Sequence, residues 1–265
     1  MDKQKLTNLI KRNKKKYSGI LWMNGYGSEE NNENYFKSLK NINKNLLIID
    51  DRCLQKPKTK FKSSSADLIL FSTGYSKYVD LGSGGYGFIQ KNFNYKRSDL
   101  NYIKNEYNQL IKKFNQSINK KITLEYNIDN WLGEESKIIK NENNYNNQIK
   151  NKIRQSNKHK QAINEIYNKM LFNKCKFPNK FNNWRYNIIV NKKDLLLKEI
   201  FKNGLFASSH YYPSSFIFGS KKRFNGAEFV SNVIVNLFND FRYSKRQALK
   251  TCKIVNDHVE KYGAP

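Results

Sequence analysis

Two neighbouring apolar runs end in residues that can do chemistry. Leu46-Leu47-Ile48-Ile49 runs into Asp50 and Asp51, and Leu68-Ile69-Leu70-Phe71 runs into Ser72. Lys77 lies five residues after Ser72, within Thr73-Gly74-Tyr75-Ser76-Lys77, and the chain then turns at Gly82-Ser83-Gly84-Gly85. A lysine in a partly dry pocket can lose its proton and attack a carbonyl carbon as a Schiff-base nucleophile. A carboxylate on the neighbouring strand end can hold a ring nitrogen protonated. A small hydroxyl and a glycine-rich turn can hold a phosphate through side-chain and backbone donors. Each type also has a plainer role. Lysine can be a solvated charge, aspartate a strand-end cap, serine a partner for a backbone group, and the glycines simply a turn.

Such groups need a sheet to carry them. Continuous apolar runs at 46–50 and 67–72 predict strands buried on both faces of a parallel sheet. In open α/β sheets ligands sit beyond the carboxyl ends of the strands. Residues 18–24 read as another buried strand ending at Gly25 and Gly27, and residues 86–90 as a further one. Helices are expected at 4–12 and 33–40, so this part reads as an α/β sheet. From residue 98 the period changes. Tyr102, Ile103, Tyr107, Leu110, Ile111 and Phe114 share one face of a helix over 98–118. The Asn- and Lys-rich stretch 139–151 reads as a solvated loop or linker. A helix at about 152–172 carries Ile163, Ile166, Tyr167, Met170 and Leu171 on its apolar side. A strand at 184–190 follows, then a helix that Asp194 caps and Gly204 ends. Residues 226–238 read as a helix, and Ser244 with Gln247 forms a capping box for a last helix to about Gly263. The expected organisation is an α/β domain over 1–95, a connecting helix and linker over 96–150, and a small α+β domain over 151–265.

The chain has 265 residues, 38% hydrophobic and 14% aromatic, enough for a core. It carries 49 Lys and Arg against 22 Asp and Glu, a net charge of +27. Taken alone, that charge suggests a polyanionic partner. The excess is mostly lysine, scattered along the chain, and accompanies heavy use of Asn, Ile, Tyr and Phe. All of these have AT-rich codons, so codon bias accounts for the charge and nucleic acid is not the expected partner. Cys53, Cys175 and Cys252 match no metal spacing and read as reduced thiols. No long uncharged apolar run and no leader are visible, so a cytoplasmic protein is expected.

A lysine nucleophile, a partner for a ring nitrogen and a phosphate site are together what pyridoxal 5′-phosphate (PLP) requires. Here the sequence resembles the DegT/DnrJ/StrS family of PLP-dependent sugar aminotransferases. Ile49-Asp50-Asp51-Arg52-Cys53-Leu54 resembles the family's EDAAQ strand end. Phe71-Ser72-Thr73-Gly74-Tyr75-Ser76-Lys77 is similar to FSFHATK, and Gly82-Ser83-Gly84-Gly85 to GEGG. Asn203-Gly204-Leu205-Phe206-Ala207, His210-Tyr211-Tyr212-Pro213, Asn225-Gly226-Ala227-Glu228 and the run from Asn236 resemble the later motifs in order and rough spacing.

The resemblance implies a partial fold-type I large domain with a mainly parallel sheet and a small α+β domain. It implies that Lys77 carries PLP, Asp51 pairs with the pyridine nitrogen, and Ser72 binds the phosphate. Position 54 would face the cofactor, and His210 and Tyr211 would lie near the substrate. The reaction implied moves an amino group, usually from glutamate, onto a nucleotide-linked keto-sugar for surface polysaccharide, in a homodimer. The alternative is a truncated, catalytically inactive remnant or a binding paralogue. The pattern departs from the family in four places. The chain begins late, without the family's first phosphate loop. Leu54 stands where Gln or His is expected, with Gln55 one position on. Ser83 replaces a glutamate. The GxNxRMxEixAA segment is not recognisable, although Tyr126–Trp131 sits roughly where it belongs.

Overall fold

The computed structural model describes residues 2–61, 63–90, 103–125, 141–213, 217 and 225–265. Its first half is built on a four-stranded sheet in the order β1 (Gly19–Met23), β2 (Leu47–Asp51), β3 (Leu68–Ser72), β4 (Gly85–Ile89). The first three strands are parallel, and β4 returns antiparallel to β3. Helices α1 (Lys3–Arg12) and α2 (Glu33–Ile42) pack on one face. There Trp22, Ile48, Ile69 and Phe71 meet Ile10, Phe36, Leu39 and Leu46 in a closed core.

The opposite face is different. Leu21 and Met23 are 50% and 56% exposed, and Leu47, Ile49, Leu68 and Leu70 are only half-buried. The expectation that residues 46–50 and 67–72 are buried on both faces, and that 18–24 is a buried strand, is therefore corrected. A continuous apolar run has no period that tells a doubly covered strand from one covered on a single side. Because side chains alternate across the pleat, the open face also receives Asp51 and Ser72, while Asp50 points into the covered one.

The second half is built on a smaller antiparallel sheet in the order β5 (Tyr186–Ile189), β7 (Ile234–Leu237), β6 (Ala207–Ser208). Helices α4 (Glu142–Met170), α5 (Lys193–Lys202) and α7 (Lys245–Tyr262) enclose its core of Ile163, Tyr167, Ile188, Leu196, Val235 and Val255. Helix α3 (Lys104–Lys120) connects the halves along the chain, and α6 (Asn225–Val233) precedes β7. The capping box of α7 forms as expected, with Ser244 Oγ accepting the Gln247 N–H at 3.2 Å.

Three expectations are revised. Residues 142–151 belong to α4 and not to a linker: Asn141 caps the helix through the Asn144 N–H at 2.9 Å, and Ile149 is fully buried. Two apolar anchors, Tyr145 and Ile149, were masked by the polar composition around them. The stretch 226–238 is helical only to Val233. From Ile234 it becomes the central strand of the second sheet, where Asn236 Nδ2 donates to Asn187 Oδ1 across the ladder at 2.6 Å. Paired neighbours on both sides overrode a helical period. The residue capping α5 is Lys192, in a left-handed conformation, and Asp194 lies in the first turn instead.

Gly27 joins the two halves. It has φ +76°, and a Cβ there would lie 2.8 Å from the Leu54 carbonyl oxygen and 3.0 Å from Trp184 Cβ. Gly27→Ala is expected to lower stability by more than about 1 kcal/mol in urea unfolding. Gly25→Ala, which meets nothing within 4 Å, is expected to stay within about 0.5 kcal/mol of the parent.

Candidate functional site

The β2 register sets the first group. Asp51 pairs in register with Met23 on one side and Leu70 on the other. The buried Asp50 is taken up structurally: Arg52 Nε reaches it at 2.6 Å and Asn24 Nδ2 at 2.7 Å. Asp51 accepts the Cys53 N–H at 2.8 Å, a side-chain turn that bends the chain away from the strand end. Leu54 is then buried beside Gly27, and the Gln55 amide donates to the Ser28 carbonyl.

The loop after β3 sets the second group. Ser72 lies opposite Gly85, and its Oγ accepts the Gly74 N–H at 3.3 Å. Thr73 ties the loop shut. Its N–H donates to Gly84 O at 3.1 Å, its hydroxyl to Ser83 O at 2.9 Å, and its carbonyl accepts the Leu81 N–H at 2.9 Å. Tyr145 from α4 closes on the same hydroxyl. Asp80 accepts the N–H groups of Ser76 and Gly82 at 2.7 and 2.8 Å. The glycine turn therefore closes the loop upon itself: two of its carbonyls face Thr73, and the Gly82 donor goes to Asp80.

The second half of the chain grips this loop. Trp184 Nε1 donates to Ser76 O at 2.7 Å, and the Arg185 guanidinium reaches Ser76 Oγ. Arg185 also pairs with Asp240 at 2.7 Å, both buried. Arg242 joins Asp240 to Asp80 and stacks on the Tyr75 ring at 4.8 Å. Between loop and small sheet lies a cleft of about 690 Å³. Tyr75, Ser76 and Lys77 line one side; Trp184, Phe206, His210 and Tyr211 are among the residues lining the other. Three non-glycine residues at this cleft or beside it, Tyr26, Ser76 and Tyr211, have left-handed backbones with φ of 55°, 63° and 71°. Strain of that kind persists only where surrounding contacts impose it.

Electrostatics link the parts. Burial pushes the Cys53 thiol up to about 12; the Asp51 carboxylate adds to the rise and the Lys77 charge opposes it. Tyr211 is also raised to about 12, by desolvation first and then by Tyr26, Asp51 and Cys53. His210 is lowered by desolvation against its neighbours, then by the charges of Arg185 and Lys77, although solvent reaches its outer edge. The Asp51 charge thus reaches Cys53 and Tyr211, and the Lys77 charge reaches Cys53 and His210. The positions of His210 and Tyr211 are set by Asn236, whose Oδ1 accepts the His210 N–H at 2.9 Å, and by Tyr26, whose ring meets Tyr211 edge-on at 5.3 Å.

Of the residues that sequence reasoning singled out, Lys77, His210 and Tyr211 line this cleft, whereas Asp51, Ser72 and Leu54 are not among its lining residues. That reasoning missed Trp184, Arg185, Tyr26, Tyr75 and Arg242. The adjacent Trp184-Arg185 pair at the start of a strand was a usable signal, since neither type is spent on a strand end without a partner. The segment Tyr126–Trp131 lies outside the described residues. Among the described residues no helix is long and apolar enough to cross a membrane. No group of three His, Cys, Asp or Glu among them could hold a metal ion.

No family model matches the sequence. No curated protein matches it. Solved structures do. A putative PLP-dependent aminotransferase from Bacillus cereus ATCC 10987 superposes with a TM-score of 0.64 at 16% identity, over 96% of this chain and 69% of that one. A DegT DnrJ EryC1 StrS aminotransferase from Brucella abortus gives 0.63 at 16% identity, over 97% and 70%. The putative sugar aminotransferase Spr1654 from Streptococcus pneumoniae, in its PMP form, gives 0.63 at 13%, over 98% and 73%. This chain therefore has the fold of the PLP-dependent aminotransferases. Within that class its structural neighbours include sugar aminotransferases, the group that the sequence motifs resemble.

One buried cation behind the cleft has a measurable consequence. Lys160 is fully enclosed, donating to Trp184 O and Asn239 Oδ1, each at 2.8 Å. Burial, then the Arg185 charge, lowers it to about 7, with Asp240 opposing. An unfolded lysine titrates near ~10.4. Between those values the unfolded chain binds a proton that the folded chain lacks, so stability rises with pH across the window. The unfolding temperature of the parent, relative to Lys160→Met at the same pH, is expected to climb from about pH 7 to about pH 9.5. A pH-independent difference would contradict the assignment.

Proposed function

We propose that this chain is a PLP-dependent transaminase whose site is the cleft between the Lys77 loop and the small sheet. The observation that carries the reading is that Lys77 lines the cleft on the loop after β3 while Asp51 ends the adjacent strand β2, and both charges act on the Cys53 thiol. The residues fit the cofactor. Asp51 is half-buried at the strand mouth and stands outside any ion pair among the described residues, because Arg52 is engaged by Asp50. The Ser72 hydroxyl accepts one hydrogen bond and retains its own proton for donation. Lys77 is half-buried and opens onto the cleft.

PLP, if held here, would supply an aldehyde for a lysine amine and an electron-drawing ring. The residues do the rest. Asp51 holds a ring nitrogen protonated through its carboxylate. Ser72 donates its hydroxyl to the phosphate. Lys77 Nζ carries the cofactor and then moves the proton at the reacting carbon. Leu54, buried beside Gly27, would offer the cofactor no polar group. Trp184, His210 and Tyr211 wall the substrate side. Following the motif resemblance, the acceptor is a nucleotide-linked keto-sugar, the donor glutamate, and the product serves surface polysaccharide. The same resemblance gives a cytoplasmic homodimer.

A second reading is a binding paralogue without turnover. Leu54 favours it: this side chain is buried and apolar where the resembling motif has a polar one. One titration separates the two. Purified protein mixed with PLP is expected to develop a visible absorption band that Lys77→Ala abolishes, with amino transfer falling about 10²-fold or more. Asp51→Asn is expected to keep the band and lose transfer. A band of equal strength without Lys77 would refute the catalytic reading, and a colourless protein that still binds a nucleotide sugar would favour the second.

A further inference from the structure

We propose that Arg185 is a positioning residue: anchored by Asp240, it holds Ser76 in the conformation that turns Lys77 into the cleft. The inference rests on the reading of Lys77 given above. Ser76 immediately precedes Lys77, and its backbone is left-handed, φ 63°, without the freedom of a glycine. All three of its polar groups are held by side chains. The N–H goes to Asp80 at 2.7 Å, the carbonyl accepts from Trp184 at 2.7 Å, and the hydroxyl is held by Arg185.

These contacts form a closed ring. Asp80 holds Ser76 and Arg242; Arg242 reaches Asp240; Asp240 pairs with Arg185; Arg185 returns to Ser76. Arg185 is 1% exposed and its guanidinium lies 3.8 Å from the Phe238 ring centroid, so it is fixed by packing as well as by charge. Its Nε finds no hydrogen-bond partner among the described residues. A buried guanidinium with an unused donor is a poor device for stability alone, since burying an ion pair seldom outperforms apolar packing. Its fork geometry explains the choice: one nitrogen meets Asp240 while the other meets Ser76, whereas a lysine would have to serve both acceptors from a single nitrogen. Trp184, Arg185 and Arg242, which hold Ser76 and Asp80 of the loop, all come from the second half of the chain. The ring therefore makes the direction of the Lys77 amine depend on how the small sheet is seated.

Three variants test this without removing the buried charge balance. Ser76→Ala removes one hydroxyl, Trp184→Phe removes one N–H, and Arg185→Lys keeps the cation on Asp240 but gives up the second prong. Each is checked for folding by circular dichroism and thermal unfolding, then mixed with PLP. The readouts are the formation rate and the wavelength of the Lys77-dependent band. Each variant is expected to form the band about 10- to 100-fold more slowly, as displacement of a reacting group by an ångström allows. Ser76→Ala combined with Arg185→Lys is expected to be no slower than the slower single variant, because both remove one contact. Unchanged rate and wavelength in folded Ser76→Ala and Arg185→Lys would overturn the proposal. So would slowing that only tracks the lost folded fraction. Absence of any Lys77-dependent band in the parent would instead refute the reading of Lys77 itself.

Discussion

The parity of one strand governs the site. In β2 the side chains of Ile48 and Asp50 enter the covered face, and those of Ile49 and Asp51 the open one. A slip of one residue against β1 and β3 would exchange the two sets. Asp50 would lose Arg52 and Asn24 and turn outward, and Asp51 would turn into the covered face without those partners. The register is pinned at both ends of the strand. Leu47 N–H donates to Ser18 O at 2.9 Å, and beyond the last pair Arg52 N–H donates to Leu70 O at 2.9 Å. The Asp50–Arg52–Asn24 cluster thus serves the site indirectly. It selects which of two adjacent aspartates faces outward, and burial of the wrong one would leave a charge without its partner.

The second constraint comes from the other half of the molecule. A parallel sheet delivers strand ends to one edge, but it does not orient a lysine five residues past the strand end. Orientation here depends on Trp184 and Arg185, at the entrance to β5, and on the turn that carries Asp240 and Arg242. The left-handed residues Tyr26, Ser76 and Tyr211 occur where the two halves meet. Contacts across that junction supply what local preference does not.

Much of this was legible in the sequence. Apolar runs ending in Asp51 and Ser72 gave the strands and their order of appearance, and the capping box fixed the start of α7 closely. Lys77 could be singled out because its spacing from Ser72 matched a known motif. Other features had no local signature. The burial of one face and not the other depends on which helices pack where, which an apolar run does not encode. The conversion of Ile234–Leu237 to a strand depends on β5 and β6, distant in sequence. Arg185 and Arg242 could not be told from the many other basic residues of a chain with 49 of them. Their partners, Asp240 and Asp80, lie far off along the chain or inside a loop whose closure only the folded state defines.

The uncovered side of the first sheet bears on how the molecule behaves in solution. It combines a lateral strand, β1, hydrogen-bonded to β2 alone among the described residues, with protruding Leu21 and Met23. Such a border invites pairing with another chain. The net charge of +27 opposes this, because like-charged molecules repel before the apolar strips can meet. That repulsion reaches about 30 Å at 0.01 M salt and about 10 Å at 0.1 M. Ionic strength is thus the variable that governs whether copies stay apart, and the surplus of lysine acts as the colloidal guard of an open strand edge.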